Sequence, residues 1–214
     1  MADVIKHSIR WRTLKGDDDH VGVLGTWWNP EKDSISYKIT LNFSDKRRGE
    51  RTGPNLVARE VPEGIPEKLT KRLVLQQVMS LYDPMGLVGP YTLLAKILLR
   101  KTWLLKLEWD DPLPSSHRED WIKFFRDLLL LEHMNIPRCL KPTAVEGKPW
   151  LVILSDGSEL AYGCAAYVRW ASEGNVYMSL IMSKCRIAPI NKVSIPRMEL
   201  NGAVLSKRCR VAIL

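Results

Sequence analysis

Apolar and polar residues alternate along the segment 34–43, which predicts a strand with one buried face. The residues on that face are Ile35, Tyr37, Ile39, Leu41 and Phe43. A short apolar run at 21–28 precedes this segment, and the Asn-Pro-Glu-Lys-Asp sequence at 29–33 supplies a turn between the two. The pattern therefore predicts a β-hairpin at the start of the chain.

The next segment, 44–66, is rich in charge, glycine and proline and has no sustained period, so we expect a flexible linker. Apolar residues then recur at helical spacing in the stretches 67–82, 90–107 and 116–135. The sequence Asp-Pro-Met-Gly at 83–86 separates the first two, because proline cannot continue a helix and glycine permits a turn. Three helices are therefore predicted.

The third predicted helix has a start signal and an apolar stripe. Ser116 and Glu119 have the spacing of a capping box, in which each side chain bonds a free backbone amide. The stripe contains Trp121, Phe124, Phe125, Leu128 and Leu131. We expect this face to lie in the core.

The pattern changes near residue 148. Three strands are predicted at 150–155, 161–170 and 176–185, and a helix runs from about Pro196 to the C-terminus. The fold class predicted for the whole chain is α+β. The predicted organisation is a strand hairpin at 1–43, a linker at 44–66, a helical segment at 67–147 and a β-β-β-α unit at 148–214.

Composition narrows the functional classes. A hydrophobic content of 45% with 26% charged residues is typical of a globular chain. The net charge of +8 fits either a nucleic-acid partner or ordinary solubility. The four cysteines have no metal-ligand spacing, so free thiols are expected. With no leader-like start and no apolar run of about 18 residues, we expect no membrane contact and a location in the cytoplasm or nucleus.

Two carboxylates are candidates for chemistry. Asp156 ends an apolar strand, where a buried charge is costly without a metal or a cation, and Glu199 falls in the first turn of the last predicted helix. If this helix crosses the sheet, the two residues could hold Mg²⁺. Two alternatives stay open: Asp156 could be a turn former that bonds its own backbone, and Glu199 could serve only the helix dipole.

Several motifs resemble the Pol polyprotein of Pao/BEL-type LTR retrotransposons. Near the candidate acids stand Ser-Asp-Gly-Ser at 155–158, Ala-Tyr-Gly at 161–163, Lys-Cys-Arg-Ile-Ala-Pro at 184–189 and Ile-Pro-Arg-Met-Glu-Leu at 195–200. The family pattern has alanine where Gly157 stands and serine where Cys185 stands. Tyr-Asp-Pro-Met-Gly-Leu-Val-Gly-Pro at 82–90 is similar to the segment between polymerase and RNase H in that family.

The resemblance implies the end of a reverse transcriptase palm at 1–43, a thumb or connection at 67–147 and the first half of an RNase H-like domain at 148–214. Asp156 and Glu199 would then be catalytic metal ligands, with Mg²⁺ or Mn²⁺ as cofactor. The thumb would contact an RNA–DNA hybrid or duplex through its cations, although these could equally form a solvated helix face. The cations in question are Lys96, Arg100, Lys101 and Lys106.

The resemblance also implies further acidic ligands that this sequence does not reach. We therefore expect at most a metal-dependent hydrolase of RNase H type with an incomplete ligand set, and little cleavage by this chain alone. A non-catalytic nucleic-acid-binding module and a decayed relic are the alternatives. A peptidase label attaches to the same family region, but Asp-Gly-Ser at 156–158 has the wrong order for an aspartic peptidase. The sequence does not indicate an oligomeric state.

Overall fold

The hairpin predicted from the first alternating segment is present in the computed structural model, which describes residues 21–23, 26–48, 50–143, 145–172 and 174–214. Residues 1–20 of the predicted hairpin segment, and residues 24 and 25 of its first strand, lie outside the described residues. The strands are β1 (Val21–Val23), β2 (Thr26–Asn29), β3 (Ser34–Tyr37), β4 (Lys46–Arg47), β5 (Glu50–Arg51), β6 (Ile136–Pro137), β7 (Trp150–Gly157), β8 (Ala161–Ser172) and β9 (Asn175–Ile187). The helices are α1 (Val61–Gly64), α2 (Lys71–Val78), α3 (Gly89–Leu104), α4 (Ser115–Leu129) and α5 (Ile195–Ile213).

The first sheet has the order β1-β2-β3-β6 and is antiparallel throughout. Asp33 has a φ of 45° in the turn between β2 and β3, and its carboxylate accepts two hydrogen bonds from Arg138, which follows β6. Beyond β3 the alternation continues without strand pairing, and Ile39 and Leu41 are buried. The predicted buried face is therefore confirmed, although β3 itself is shorter than the predicted strand.

One hydrophobic core unites the first sheet with helices α1 to α4. Its buried residues come from positions 37 to 131 of the chain. At its centre the rings of Trp121 and Phe125 are stacked with their centroids 5.5 Å apart, and Phe124 lies edge-on to both. The stripe predicted for α4 is thus confirmed as core. We call the described residues from 21 to 143 the helical body.

The segment 44–66 differs from the linker that the composition predicted. It contains the ribbon β4–β5, a 3₁₀ turn at Ala58–Glu60 and the helix α1. Val61 and Ile65 are buried in the core of the helical body. The prediction failed because two isolated apolar residues, each followed by a proline, show no helical or strand period, although both pack in the core.

A buried amide pair fastens this segment to α2. The Gln77 side chain accepts a hydrogen bond from the Asn42 amide at 3.0 Å and donates one to the Asn42 carbonyl at 2.7 Å. The Asn42 side chain donates to the Gly53 carbonyl at 2.8 Å and accepts from Ser44. These bonds satisfy polar groups that would be costly to bury unpaired.

Asp83 fixes the start of α3. Its carboxylate accepts hydrogen bonds from the amides of Leu87 at 2.9 Å and Val88 at 3.0 Å and from the Tyr37 hydroxyl at 2.8 Å. Burial raises the pKa of Tyr37 and the bond to Asp83 raises it further. The predicted turn at 83–86 is therefore a structural joint between the hairpin and α3.

Helix α4 begins at Ser115, with Pro114 at the N-cap. Ser116 therefore lies inside the helix, and the predicted capping box is wrong. The predicted helix at 67–82 is also shorter in the structure, because the Thr70 side chain caps α2 by accepting from the Leu73 amide. No helix in the described residues is long and apolar enough to cross a membrane.

Residues from 145 onward form the sheet unit, in which β7, β8 and β9 pair antiparallel in that order. Helix α5 packs on β7 and β8 through Met198, Gly202, Leu205 and Cys209, which recur at helical spacing. The buried sulfurs of Cys164 and Cys209 are 3.2 Å apart beneath the helix. The observed order is the β-β-β-α order that the sequence predicted.

The sheet unit docks on the helical body through β9 and α3. The Ser183 amide donates to the Met85 carbonyl at 2.9 Å, and the Ser183 hydroxyl donates to the Gly86 carbonyl. A Cβ atom at Gly86 would lie 2.0 Å from the Ser183 carbonyl oxygen, and Gly86 has a φ of 70°. Only glycine fits there, because both the approach and the backbone conformation exclude a side chain.

Candidate metal and nucleic-acid site

The two candidate acids lie on adjoining backbone segments at one corner of the sheet unit. Asp156 lies next to the end of β7, and α5 covers the following residue, Gly157. A Cβ atom at Gly157 would lie 2.4 Å from the carbonyl carbon of Met198 and 2.5 Å from the amide nitrogen of Glu199. Because no side chain fits in this space, the backbone of α5 rests directly on the backbone of β7.

A second glycine extends this contact along the helix. A Cβ atom at Gly202 would lie 3.0 Å from the carbonyl oxygen of Asp156. The helix therefore approaches β7 closely over one turn, from Glu199 to Gly202, and holds Asp156 and Glu199 on adjoining backbone segments. The sequence patterns did not assign a role to either glycine. The feature that could have indicated this close approach is Gly157, which stands where the family pattern has alanine.

The Asp156 side chain is exposed and bonds its own backbone. Its Oδ1 atom accepts a hydrogen bond from the Gly157 amide at 2.8 Å. Neighbouring residues of a strand point to opposite faces, so the Asp156 side chain leaves the strand on the face opposite α5. There it lines an open groove that Leu93 of α3 also lines. The bond to Gly157 matches the turn-former alternative, although Asp156 lies within a strand.

Glu199 is exposed and lies one position further into its helix than the sequence indicated. Helix α5 begins at Ile195, so Glu199 is its fifth residue and no acidic residue occupies the first turn. The predicted role of the helix dipole is therefore wrong, because this effect fades beyond the first turn. Glu199 owes its place in the corner to the seating of α5 on Gly157.

Each of these acids is of a type that can contribute to the ligand set of a hard cation. Carboxylate oxygens are preferred ligands of Mg²⁺, which commonly takes one or two carboxylates and completes its shell with water and phosphate oxygens. Among the described residues there is no group of three or more potential ligands. The corner can therefore hold a metal only together with ligands from water, substrate or another source.

A family model, described as the Pao retrotransposon-like RNaseH-like domain, matches residues 70–214, more than half of the chain. The chain belongs to this family. No curated protein matches it. The Pao retrotransposon-like assignment agrees with the resemblance found in the motifs, and the β-β-β-α unit lies entirely inside the matched region. The matched region also contains α2, α3 and α4 of the helical body.

The cations predicted to contact nucleic acid lie on and just after α3. Arg100 donates to the carbonyls of Ala188 at 2.8 Å and Pro189 at 3.1 Å, so its guanidinium joins the helical body to the sheet unit. Lys101 forms an exposed ion pair with Asp120 at 3.7 Å. Two of the four predicted cations thus have partners within this Pao retrotransposon-like chain.

The other two predicted cations are exposed. Lys96 lies near Cys185, whose pKa is raised by burial and lowered to a smaller extent by the charge of Lys96. Lys106 follows α3 in a turn and has a φ of 55°. Helix α3 packs on β9 from the face opposite α5, so these cations are not gathered with Glu199 around the corner.

Proposed function

We propose that this chain is a Pol-derived segment of a retrotransposon that handles RNA–DNA hybrids in the cytoplasm or nucleus. Asp156 and Glu199 would be the first two carboxylates of a Mg²⁺ or Mn²⁺ site. The observation that carries the proposal is the seating of α5 on Gly157, which places the Glu199 backbone against the residue that follows Asp156. In the proposed site the Asp156 carboxylate, which leaves β7 on the other face, would reach Glu199 around the end of this strand. The family match and the net charge of +8 support a nucleic-acid partner.

The exposure of the two acids supports roles for them in binding metal and phosphate. Both side chains are open to solvent, so a phosphate could approach them together with the metal. When bound, Mg²⁺ supplies positive charge to phosphate oxygens and lowers the pKa of a bound water. Two protein ligands alone fix the coordination geometry of the metal poorly. We therefore expect the chain by itself to bind the hybrid and to cleave its RNA strand slowly or not at all.

The helical body would serve as the thumb or connection of the ancestral reverse transcriptase and contact the duplex backbone. Lys96 and Lys106 are exposed and suited to phosphate contacts, which need charge but no base reading. Arg100 would contribute less, because carbonyl groups already take its donors. This helix would add affinity without sequence preference.

The test measures affinity for a labelled RNA–DNA hybrid with Mg²⁺ and with a chelator at equal ionic strength. Without metal, Asp156→Asn should strengthen binding slightly, because it removes a negative charge that faces phosphate. With Mg²⁺, the same substitution should weaken binding, because it removes a metal ligand. This reversal of sign distinguishes a metal ligand from a bystander charge. RNA cleavage is followed in the same samples.

Glu159→Gln is the matched control, because Glu159 is an exposed acid three residues from Asp156. It should change affinity in the same direction under both conditions. Glu199→Gln should reverse sign as Asp156→Asn does. If each of the three variants changes the affinity in the same direction with and without Mg²⁺, the metal site is refuted. A metal-independent binding module then remains. No hybrid binding by the folded wild-type chain would refute the function itself.

A further inference from the structure

Strand β9 presents two different faces, and only one is used for docking. Ser183 bonds the Gly86 carbonyl, and the Sγ of Cys185 would lie 3.7 Å from a Cβ atom at Gly89. Both residues therefore face α3. Because side chains alternate along a strand, Lys184 and Arg186 point to the other face.

Strand register identifies that other face as the one that carries α5. Lys184 lies opposite Cys164, and Arg186 lies opposite Tyr162. Cys164 meets Cys209 of α5 at 3.2 Å, so the cross-strand neighbours of Cys164 share the α5 face. Helix α5 packs on β7 and β8, and both cations on β9 remain exposed beside it.

The same register relates the two cations to the acidic corner. Tyr162 pairs with Gly157 on one side and with Arg186 on the other, so the three residues form one row across the sheet. Two strand spacings separate Arg186 from Gly157, about 10 Å at about 4.8 Å per strand. Lys184 lies in the next row on this face, about 6.7 Å further along β9. Both cations therefore flank the site of Glu199.

Neither cation has a structural role that would explain it. Within the described residues, the side chains of Lys184 and Arg186 form no ion pair, hydrogen bond or cation–π contact. This contrasts with Arg100 and Lys101 on α3, which have intramolecular partners. Two unpaired cations one side-chain repeat apart are suited to phosphates of a nucleic-acid backbone.

We propose that Lys184 and Arg186 form a phosphate-binding row that positions the RNA–DNA hybrid beside Glu199, near the end of β7. This proposal rests on the proposed function and adds a phosphate contact on the α5 face to the α3 cations of the other face. The two residues act as positioning residues.

The test measures hybrid affinity against salt concentration for the double variant Lys184→Gln/Arg186→Gln. Loss of two phosphate contacts should reduce the slope of log K against log salt by about 1.8. Lys184→Arg/Arg186→Lys should restore the wild-type slope, because phosphate contacts need charge alone. Both side chains are exposed, so thermal unfolding of the variants should match that of the wild type.

The matched control is Lys123→Gln/Arg126→Gln, which makes the same charge change on exposed positions of α4 in the helical body. Its slope should remain that of the wild type. An unchanged slope in the β9 variant, or equal changes in both variants, would overturn the phosphate row. In that case the sign reversal of Asp156→Asn could still occur, which would leave the proposed function standing. A wild-type chain that binds no hybrid would overturn both.

Discussion

The helical body and the sheet unit are held together by different kinds of contact. The helical body has a cluster of 17 buried apolar residues that includes three aromatic rings of α4. The corresponding cluster of the sheet unit contains three buried residues, Cys164, Leu205 and Cys209. The sheet unit relies instead on long strand pairing, on backbone contact at two glycines and on its docking to α3.

The candidate site lies on the more weakly packed of these two regions. The acids lie on the unit with the thinner core, and their placement depends on the seating of a helix rather than on a deep cavity. Large apolar side chains also remain exposed on this unit, including Trp150 at 68% and Val211 at 74%. We therefore expect the helical body to be more stable than the sheet unit, and the sheet unit to respond to changes at the joint between them.

The largest expected effect is in the core of the helical body. Phe125→Ala removes a ring that is fully buried and stacked on Trp121, so we expect a loss of about 3–5 kcal/mol in the free energy of unfolding. Leu205→Ala in the sheet unit should cost about 2–3 kcal/mol, because its thin surroundings can collapse into the cavity. Urea unfolding followed by circular dichroism measures both. Equal losses would remove the contrast between the two cores.

The next effect concerns the joint. Gly86→Ala should cost about 2 kcal/mol or more, because it adds a strained φ and a clash with the Ser183 carbonyl. Gly174→Ala is the matched control, since Gly174 has a φ of 80° with open space around it. The control should lose only the strain energy. Hydrogen exchange at the Ser183 amide should rise in Gly86→Ala alone; a similar rise in the control would show that this joint is not specific.

The smallest effect is a pH dependence of the sheet unit. Burial, and then the bond to Cys209, raises the pKa of Cys164 to about 12 from an ordinary 9.0. The folded state thus keeps a proton that the unfolded state loses, so this stability is complete below pH 9 and declines as pH rises toward 12. Between pH 9 and pH 10 the loss is at most about 1.4 kcal/mol.

This loss is measured as the change in unfolding free energy between the two pH values. Cys164→Ala should flatten the alkaline decline, whereas Cys139→Ala should not, because Cys139 is exposed. A wild-type curve that is flat to pH 10 would show that the Cys164 thiol titrates normally and that the α5–β8 contact is open to water.

Much of the fold was predictable because local patterns agree with the tertiary structure. The alternation at 34–43, the apolar stripe of α4 and the β-β-β-α order are each visible as local patterns in the sequence, and the structure contains all three. The linker was mispredicted because Val61 and Ile65 have no period of their own. The capping box at Ser116 failed because the helix already begins at Ser115, with Pro114 at the N-cap.

For the site, the sequence identified Asp156 and Glu199 as candidates, and their roles stay predictions. It also determined the α+β class and the motifs of the Pao retrotransposon-like family, because residue type and spacing are properties of the chain itself. The contact of α5 with Gly157, and the shared face of Lys184 and Arg186, emerge only in the folded chain, because they depend on strand register and on where the helix packs. Arg100 shows the same limit: its charge is visible in the sequence, but its use in joining two regions of the molecule depends on carbonyls almost ninety residues away.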